Sequence, residues 1–273
     1  MTKNIGELEA IARRIRAAAV RMSHDARAPH LGSSLSCVEL LTALYWGVAL
    51  LDPEKPCDPA RDRVILSKGH AASTLYAALA CRGFFPETEL ASFGKPGSCL
   101  SEHPCPKGVP GLEAATGSLG HGLGLGLGMA LAGRIQGIAY RTFVVMSDGE
   151  CNEGSVWEAA MMAPAHRLDS LTAIIDYNRW QATGRSDEVL ALAPLGEKWK
   201  AFGWNVHETD GHDLGALLKI LSAPPDGSGK PTAVVARTVK GKGVSFMEDD
   251  NNWHYRVPND EELGAALKEL GQP

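Results

Sequence analysis

Short apolar runs alternate with stretches of helical period along the chain. Residues 143–146 form an apolar run stopped by Ser147-Asp148-Gly149, and 171–175 form another stopped by Asp176-Tyr177-Asn178. Both predict buried strands that end in turn chemistry. Between them Trp157, Met161, Met162 and Ala165 recur near helical spacing, so the segment predicts strand, helix, strand. A crossover of that length favours parallel pairing. Further strands are predicted over 63–67, 204–208 and 232–236. Strands that alternate with helices imply an α/β fold, a parallel sheet flanked by helices on both faces.

The helices are read from the same periodicity. Leu8, Ile11, Ile15, Ala19 and Met22 share one face of a helix over 5–24, with Arg13, Arg14 and Arg16 elsewhere. Pro29, Gly32 and three serines break the pattern over 28–36 and predict a loop that carries His30. Helices are also expected over 38–48, 71–81, 194–202, 213–221 and 260–270, the last with an acidic first turn. His70 falls just before the helix over 71–81, near its positive end, where anions are favoured. The stretch 93–111 is rich in Pro, Gly and Ser, carries Glu102-His103 and has no period of its own. Loops of that length in a compact domain are mostly functional. No internal repeat or domain boundary is visible, so 1–273 is read as a single domain.

Composition narrows the class. A chain of 273 residues with 44% hydrophobic and 22% charged residues is long enough for a full α/β core. Its net charge of −5 offers no basic footprint for nucleic acid. No apolar run approaches the roughly 18 residues of a membrane span, and no secretory h-region is present. The reading is cytoplasmic, with no membrane partner. Six cysteines, at 37, 57, 81, 99, 105 and 151, show no Cys-x-x-Cys and predict reduced, mostly buried thiols. Cys99, His103 and Cys105 lack a fourth ligand at zinc spacing.

Candidate chemistry sits at the predicted strand ends, where ligands bind in open parallel sheets. Asp148 and Asn178 stand thirty residues apart, and a carboxylate, an amide oxygen and a nearby backbone carbonyl suit a hard cation such as Mg²⁺. Asp-Gly and Asn are also what any strand-to-helix turn prefers. Of the nine histidines, His24, His166 and His207 lie in or at the ends of predicted elements and read as structural. His30, His70, His103 and His254 fall on loops, where function concentrates.

These residues carry a resemblance. Asp148-Gly149 followed thirty residues later by Asn178 resembles the thiamine diphosphate signature, and Glu153-Gly-Ser-Val-Trp-Glu-Ala is similar to the wording of transketolases. The resemblance implies that Asp148, Asn178 and the carbonyl of Trp180 hold Mg²⁺ (or Ca²⁺ or Mn²⁺) against the diphosphate, with Gly149 and Glu150 in the same cofactor-binding turn. It places Gly117, Ser118 and Leu119 at the aminopyrimidine and thiazolium. Four histidine motifs match as well: Ala28-Pro-His-Leu-Gly, Leu66-Ser-Lys-Gly-His-Ala, Glu102-His-Pro, and Lys240-Gly-Lys-Gly-Val-Ser with Trp253-His254. By analogy His70 and His254 contact the diphosphate, and His30, His103 and His254 handle sugar hydroxyls and protons. Ser147 departs from the usual first glycine, and Ala182-Thr183 from the usual Ile-Asp. The resemblance also assigns a helix to 120–135. Leucine–glycine alternation there would argue for a strand, and each interior glycine costs a helix about 1 kcal/mol.

The resemblance covers nearly the whole chain but only half of a transketolase active site. It implies the N-terminal, diphosphate-binding subunit of a split enzyme, with the pyrimidine-binding domain on a separate C-terminal subunit in an α2β2 heterotetramer. Glu153 is expected at their interface, in communication with a partner glutamate; as a helix N-terminal acid it would equally serve the dipole. The expected reaction moves a two-carbon ketol unit from a ketose or ketose phosphate to an aldose. Alternatives are thiamine diphosphate-dependent transfer on a specialised sugar or 2-oxo acid, and a non-catalytic scaffold.

Overall fold

A computed structural model describes residues 4–272. In chain order its elements are α1 (Ile5–Ala26), α2 (Leu31–Ser36), α3 (Val38–Ala43), β1 (Arg63–Leu66), α4 (Ala72–Arg82), α5 (His121–Gln136), β2 (Thr142–Ser147), α6 (Gly154–Ala165) and β3 (Leu171–Tyr177). Then follow α7 (Ser186–Val189), α8 (Leu195–Ala201), β4 (Asn205–Asp210), α9 (Leu214–Leu221), β5 (Thr232–Arg237) and α10 (Asp260–Glu269). A π turn, Leu44–Val48, prolongs α3. The strands form one sheet in the order β1-β2-β3-β5-β4, and every pairing is parallel.

Alternation along β1, β2, β3 and β5 builds two cores. Val64, Leu66, Phe143, Val145, Ile174, Val234 and Ala236 pack against α1, α3, α4 and α9. Ile65, Val144, Met146, Ala173, Ile175, Ala233 and Val235 pack against α5, α6 and α8. Strands covered on both faces read as continuous apolar runs, which is why they were legible. A third cluster joins the outer side of α1 to Leu31, Leu35, Val244, Met247, Trp253, Ala266 and Leu267, and so seats the segment 240–254 beside α2.

Three expectations need correction or refinement. The loop over 28–36 is mostly the helix α2, because Leu31 and Leu35, one turn apart, are both fully buried in that third cluster. His30 immediately precedes α2 with φ 72°. The glycine-rich segment is helical because its glycines sort by face. A Cβ on Gly122 would collide with Ser67 and one on Gly126 with Val144, whereas Gly124 and Gly128 meet nothing within 4 Å. The thiols are not mostly buried: Cys57, Cys99 and Cys105 are exposed and Cys81 is half-buried, leaving only Cys37 and Cys151 inside. The three exposed ones lie on irregular connections outside the sheet. No helix among the described residues is long and apolar enough to cross a membrane.

Candidate active site

All five strands point their carboxyl ends the same way, so the turns after β1, β2, β3 and β5 meet. Asp148, following β2, is fully buried. Its Oδ1 accepts from the Gly149 amide at 3.0 Å, and its Oδ2 accepts from the Arg179 amide at 2.9 Å and the Ser186 hydroxyl at 2.7 Å. Burial pushes this carboxyl up to about 7 against the pull of those donors, and Asp176 nearby adds to the rise. Asn178, following β3, turns its amide nitrogen to Asp176 at 3.4 Å, and its Oδ1 accepts from the Trp180 amide at 3.0 Å.

Asp176 is the hub that orients this amide. It accepts from Ser36 at 2.6 Å and from Thr238, and it is ion-paired with Lys68. Lys68 also donates to the Ser33 carbonyl at 2.7 Å. Both charged groups are fully buried. Burial works against each, but their attraction outweighs it: Lys68 is held above and Asp176 below its ordinary value.

Above this floor the four loop histidines converge. The His30 ring lies 4.8 Å from that of His254, 5.3 Å from His70 and 6.5 Å from His103, centre to centre. They line a cleft of about 390 Å³ together with Gly117, Leu119, Gly149, Glu153, Asn178 and Trp180. Burial lowers His30 to about 4, helped by His103 and Lys240, and lowers His254 to about 3, helped by Lys240 and His30. His70 is held well below its ordinary value by burial and by Lys68. These three rings are therefore neutral. Gly117, at φ 142°, admits no side chain, since a Cβ there would run into His103.

Three expected cofactor residues are not in the cleft wall: Asp148, fully buried next to Gly149, and Ser118 and Glu150. Ser118 lines an adjoining surface groove with His121 and Leu125. Glu150 does not wall the cleft. Its buried carboxylate accepts from Ser67, from the Gly120 amide at 3.0 Å and from the Ser147 amide at 2.8 Å, so it ties the ends of β1 and β2 to the start of α5. Glu150→Ala leaves those donors unsatisfied and is expected to destabilise the chain by about 2–4 kcal/mol, measurable by urea unfolding. A loss below about 0.5 kcal/mol would contradict this account.

The fold also recruits residues with no assigned role in the sequence motifs. Lys240 is fully buried, donates to Asn251 at 2.7 Å and to Nδ1 of His254 at 3.1 Å, and is lowered to about 8 by burial and by Lys68. Its Lys-Gly-Lys-Gly run was visible, but a loop lysine ordinarily reads as solvated. Gln181, half-buried in the cleft wall, gave no signal. His24 and His212 are structural. The first bonds Asp25 and Asp260, and the second bonds Glu39 and the Val239 amide.

The site suits a cation and an anionic cofactor. Carboxylate, amide and carbonyl oxygens on adjacent turns are the donor set a hard divalent ion takes. Nδ1 of His30 and Nε2 of Gln181 are buried without a hydrogen-bond partner, although both residues face the cleft. Buried polar atoms of this kind call for a polar ligand.

Comparison with known proteins gives the family. Residues 8–273 match the model described as transketolase, thiamine diphosphate binding domain. The chain is 41% identical over 253 residues to an apulose-4-phosphate transketolase subunit of Phocaeicola vulgatus, covering 93% of this chain and 90% of that one. It is 42% identical over 241 residues to 6-deoxy-6-sulfo-D-fructose transketolase subunit SqwG of a Clostridium species, covering 88% of each. The crystal structure of Campylobacter jejuni transketolase superposes with a TM-score of 0.91 at 26% identity, covering 99% of this chain. The chain spans only 43% of that solved enzyme. Sheet, strand-end turns and sequence agree that the chain belongs to the transketolase family and carries its thiamine diphosphate-binding domain.

Proposed function

We propose that the chain is the diphosphate-binding subunit of a split transketolase, working with a separate pyrimidine-domain subunit in an α2β2 assembly in the cytoplasm. The observation that carries this reading is the packing of four imidazoles against the Asp148 and Asn178 turns in one cleft. Asp148, Asn178 and the Trp180 carbonyl would hold Mg²⁺, with Gly149, His70, Lys240 and His254 around the diphosphate. Thiamine diphosphate, when bound, supplies the carbon nucleophile and electron sink needed to cleave the C2–C3 bond of a ketose.

The chain's own residues bind the sugar and manage its protons. Because His254 Nδ1 receives a hydrogen bond from Lys240, its ring proton resides on Nε2, which is left to donate to a sugar hydroxyl. His30 keeps a free Nδ1 and His103 stands beside it, so hydroxyls on the substrate find both donors and acceptors. Basicity of the rings rises beside an anion, which moves them toward the range useful for proton transfer. Four imidazoles suit a hydroxylated sugar better than a 2-oxo acid. The related subunits named for apulose 4-phosphate and 6-deoxy-6-sulfo-D-fructose point to a ketose with an anionic end group as donor.

Partner contact is supported by the outer faces of α5 and α6. Leu125, Ile135, Met161 and Met162 are 42%, 76%, 54% and 42% exposed, and the bare flanks of Gly124 and Gly128 permit close backbone approach. Such apolar exposure marks an interface. Glu153, exposed at the cleft edge beside Gly120, would meet a partner carboxylate there. Mixing the chain with its partner, thiamine diphosphate, Mg²⁺ and a ketose phosphate should release aldehyde. No turnover with any ketol donor, despite bound cofactor, would remove the assignment.

A further inference from the structure

The hairpin that follows Asn178 carries one proposed ligand of the cation and positions another, and it is held by a cluster of which only Trp180 lines the cleft. Its ends close through the Ser186 amide on the Arg179 carbonyl at 3.1 Å, and its tip through the Gln181 amide on the Gly184 carbonyl at 2.9 Å. At one end lies the Trp180 carbonyl. At the other lies Ser186, whose hydroxyl donates to Asp148 at 2.7 Å. The position of this one hairpin therefore sets two of the three oxygens proposed to face the ion.

Across the cleft the segment 240–254 brings Lys240 and His254. The two segments meet at Asp249. Its carboxylate accepts two hydrogen bonds from Arg185, both at 2.7 Å, and a third from the Trp180 indole at 2.7 Å. The Arg185 guanidinium in turn lies 3.7 Å from the centre of the Trp180 ring. A planar fork can pair a carboxylate and cover an aromatic face together, which a lysine cannot do. Asn251 adds a bond to the Ala182 carbonyl at 3.2 Å while accepting from Lys240. Arg179 at φ 64° and Asp249 at φ 57° both adopt left-handed backbone at the joint, a conformation that persists in non-glycine residues where surrounding contacts over-determine it.

We propose that Arg185, Asp249 and Trp180 form a latch between these two segments, and that Arg185 and the Asp249 carboxylate are positioning residues that set the affinity for the divalent ion. The proposal rests on the reading that Asp148, Asn178 and the Trp180 carbonyl hold that ion. The latch also accounts for the departure at Ala182-Thr183: the hairpin tip is anchored through backbone and through its flanks, not through side chains at those two positions. Asp249 and Arg185 are 56% and 33% exposed, so their pairing adds little to global stability. Its effect is local, on the placement of the Trp180 backbone.

The test uses the chain assembled with its partner, titrated with Mg²⁺ at fixed thiamine diphosphate by calorimetry and by tryptophan emission. Asp249→Asn and Arg185→Met are each expected to raise the Mg²⁺ dissociation constant about tenfold, the scale of losing an outer support of a metal site. The metal-free melting temperature should stay within about 2 °C of the parent's. Arg185→Lys should fall between, and the double variant should be no weaker than either single one, as for groups acting as a unit. Mg²⁺ should change an emission component that Trp180→Phe erases and Asp249→Asn diminishes. If the unaltered complex binds Mg²⁺ while the variants bind it within twofold of the parent, the latch is wrong and the cation site stands. If the unaltered complex shows no Mg²⁺-dependent binding, both fall.

Discussion

Asp148→Ala in the assembled enzyme is expected to abolish Mg²⁺-dependent binding of thiamine diphosphate and to lower turnover by more than about a hundredfold. Removing an outer support of a metal site already costs about 10- to 100-fold, and Asp148 contributes the one carboxylate among the proposed ligands. The chain should still fold. Burial opposes the charged form of this carboxylate, so its removal relieves a desolvation cost, while the Gly149 and Arg179 amides and the Ser186 hydroxyl lose one partner each. Calorimetry of the complex with cofactor and metal reads the outcome. Retained binding at the parent's affinity would remove Asp148 from the metal site.

His254→Ala should lower kcat/KM for a ketose donor by about a hundredfold or more, the usual scale for a positioned proton-handling group, with little change from His207→Ala on the exposed part of β4. The same cluster should mark the acid stability of the cofactor-free chain. His30 and His254 are lowered to about 4 and about 3, against an ordinary value near 6.5 in the unfolded chain. Between about pH 6.5 and 4 the unfolded state thus binds protons that the folded state refuses. The stability conferred by these neutral rings is complete above about pH 6.5 and is lost as pH falls toward their folded values.

Asp148, pushed up to about 7, acts oppositely. Its protonated form favours the folded chain at low pH, and that benefit disappears as pH rises to about 7. Comparison of His30→Gln/His254→Gln with the parent isolates the imidazoles: the slope of stability against pH from 6.5 to 4 should become shallower by up to about two protons, less where water screens these half-buried rings. An unchanged slope in urea titrations across that range would show that the rings titrate normally.

Much of this site could be read along the chain. The runs at 143–146 and 171–175 declared two strands because interior strands of a parallel sheet are apolar on both faces, and the polar turns that stopped them carried Asp148 and Asn178. Local chemistry sufficed there. It failed at α2, where Pro29, Gly32 and the serines signalled a loop, because burial of Leu31 and Leu35 in a distant cluster overrode local preference. Nor does local chemistry announce the partners of Glu150, which the resemblance sets beside Asp148 and Gly149: its carboxylate turns to Ser67, Gly120 and Ser147.

By itself, the order of residues determined the alternation of strands and helices, the strand-end position of Asp148 and Asn178, and four histidines on connecting segments, since each follows from periodicity or turn preference over a few neighbours. The tertiary structure alone decided which charges are interior. Lys68 meets Asp176 across 108 positions, Glu150 meets Ser67 across 83 and Arg16 meets Glu39 across 23. A charged side chain can leave water only where a partner replaces its solvation, and no local pattern announces a partner brought in from so far along the chain.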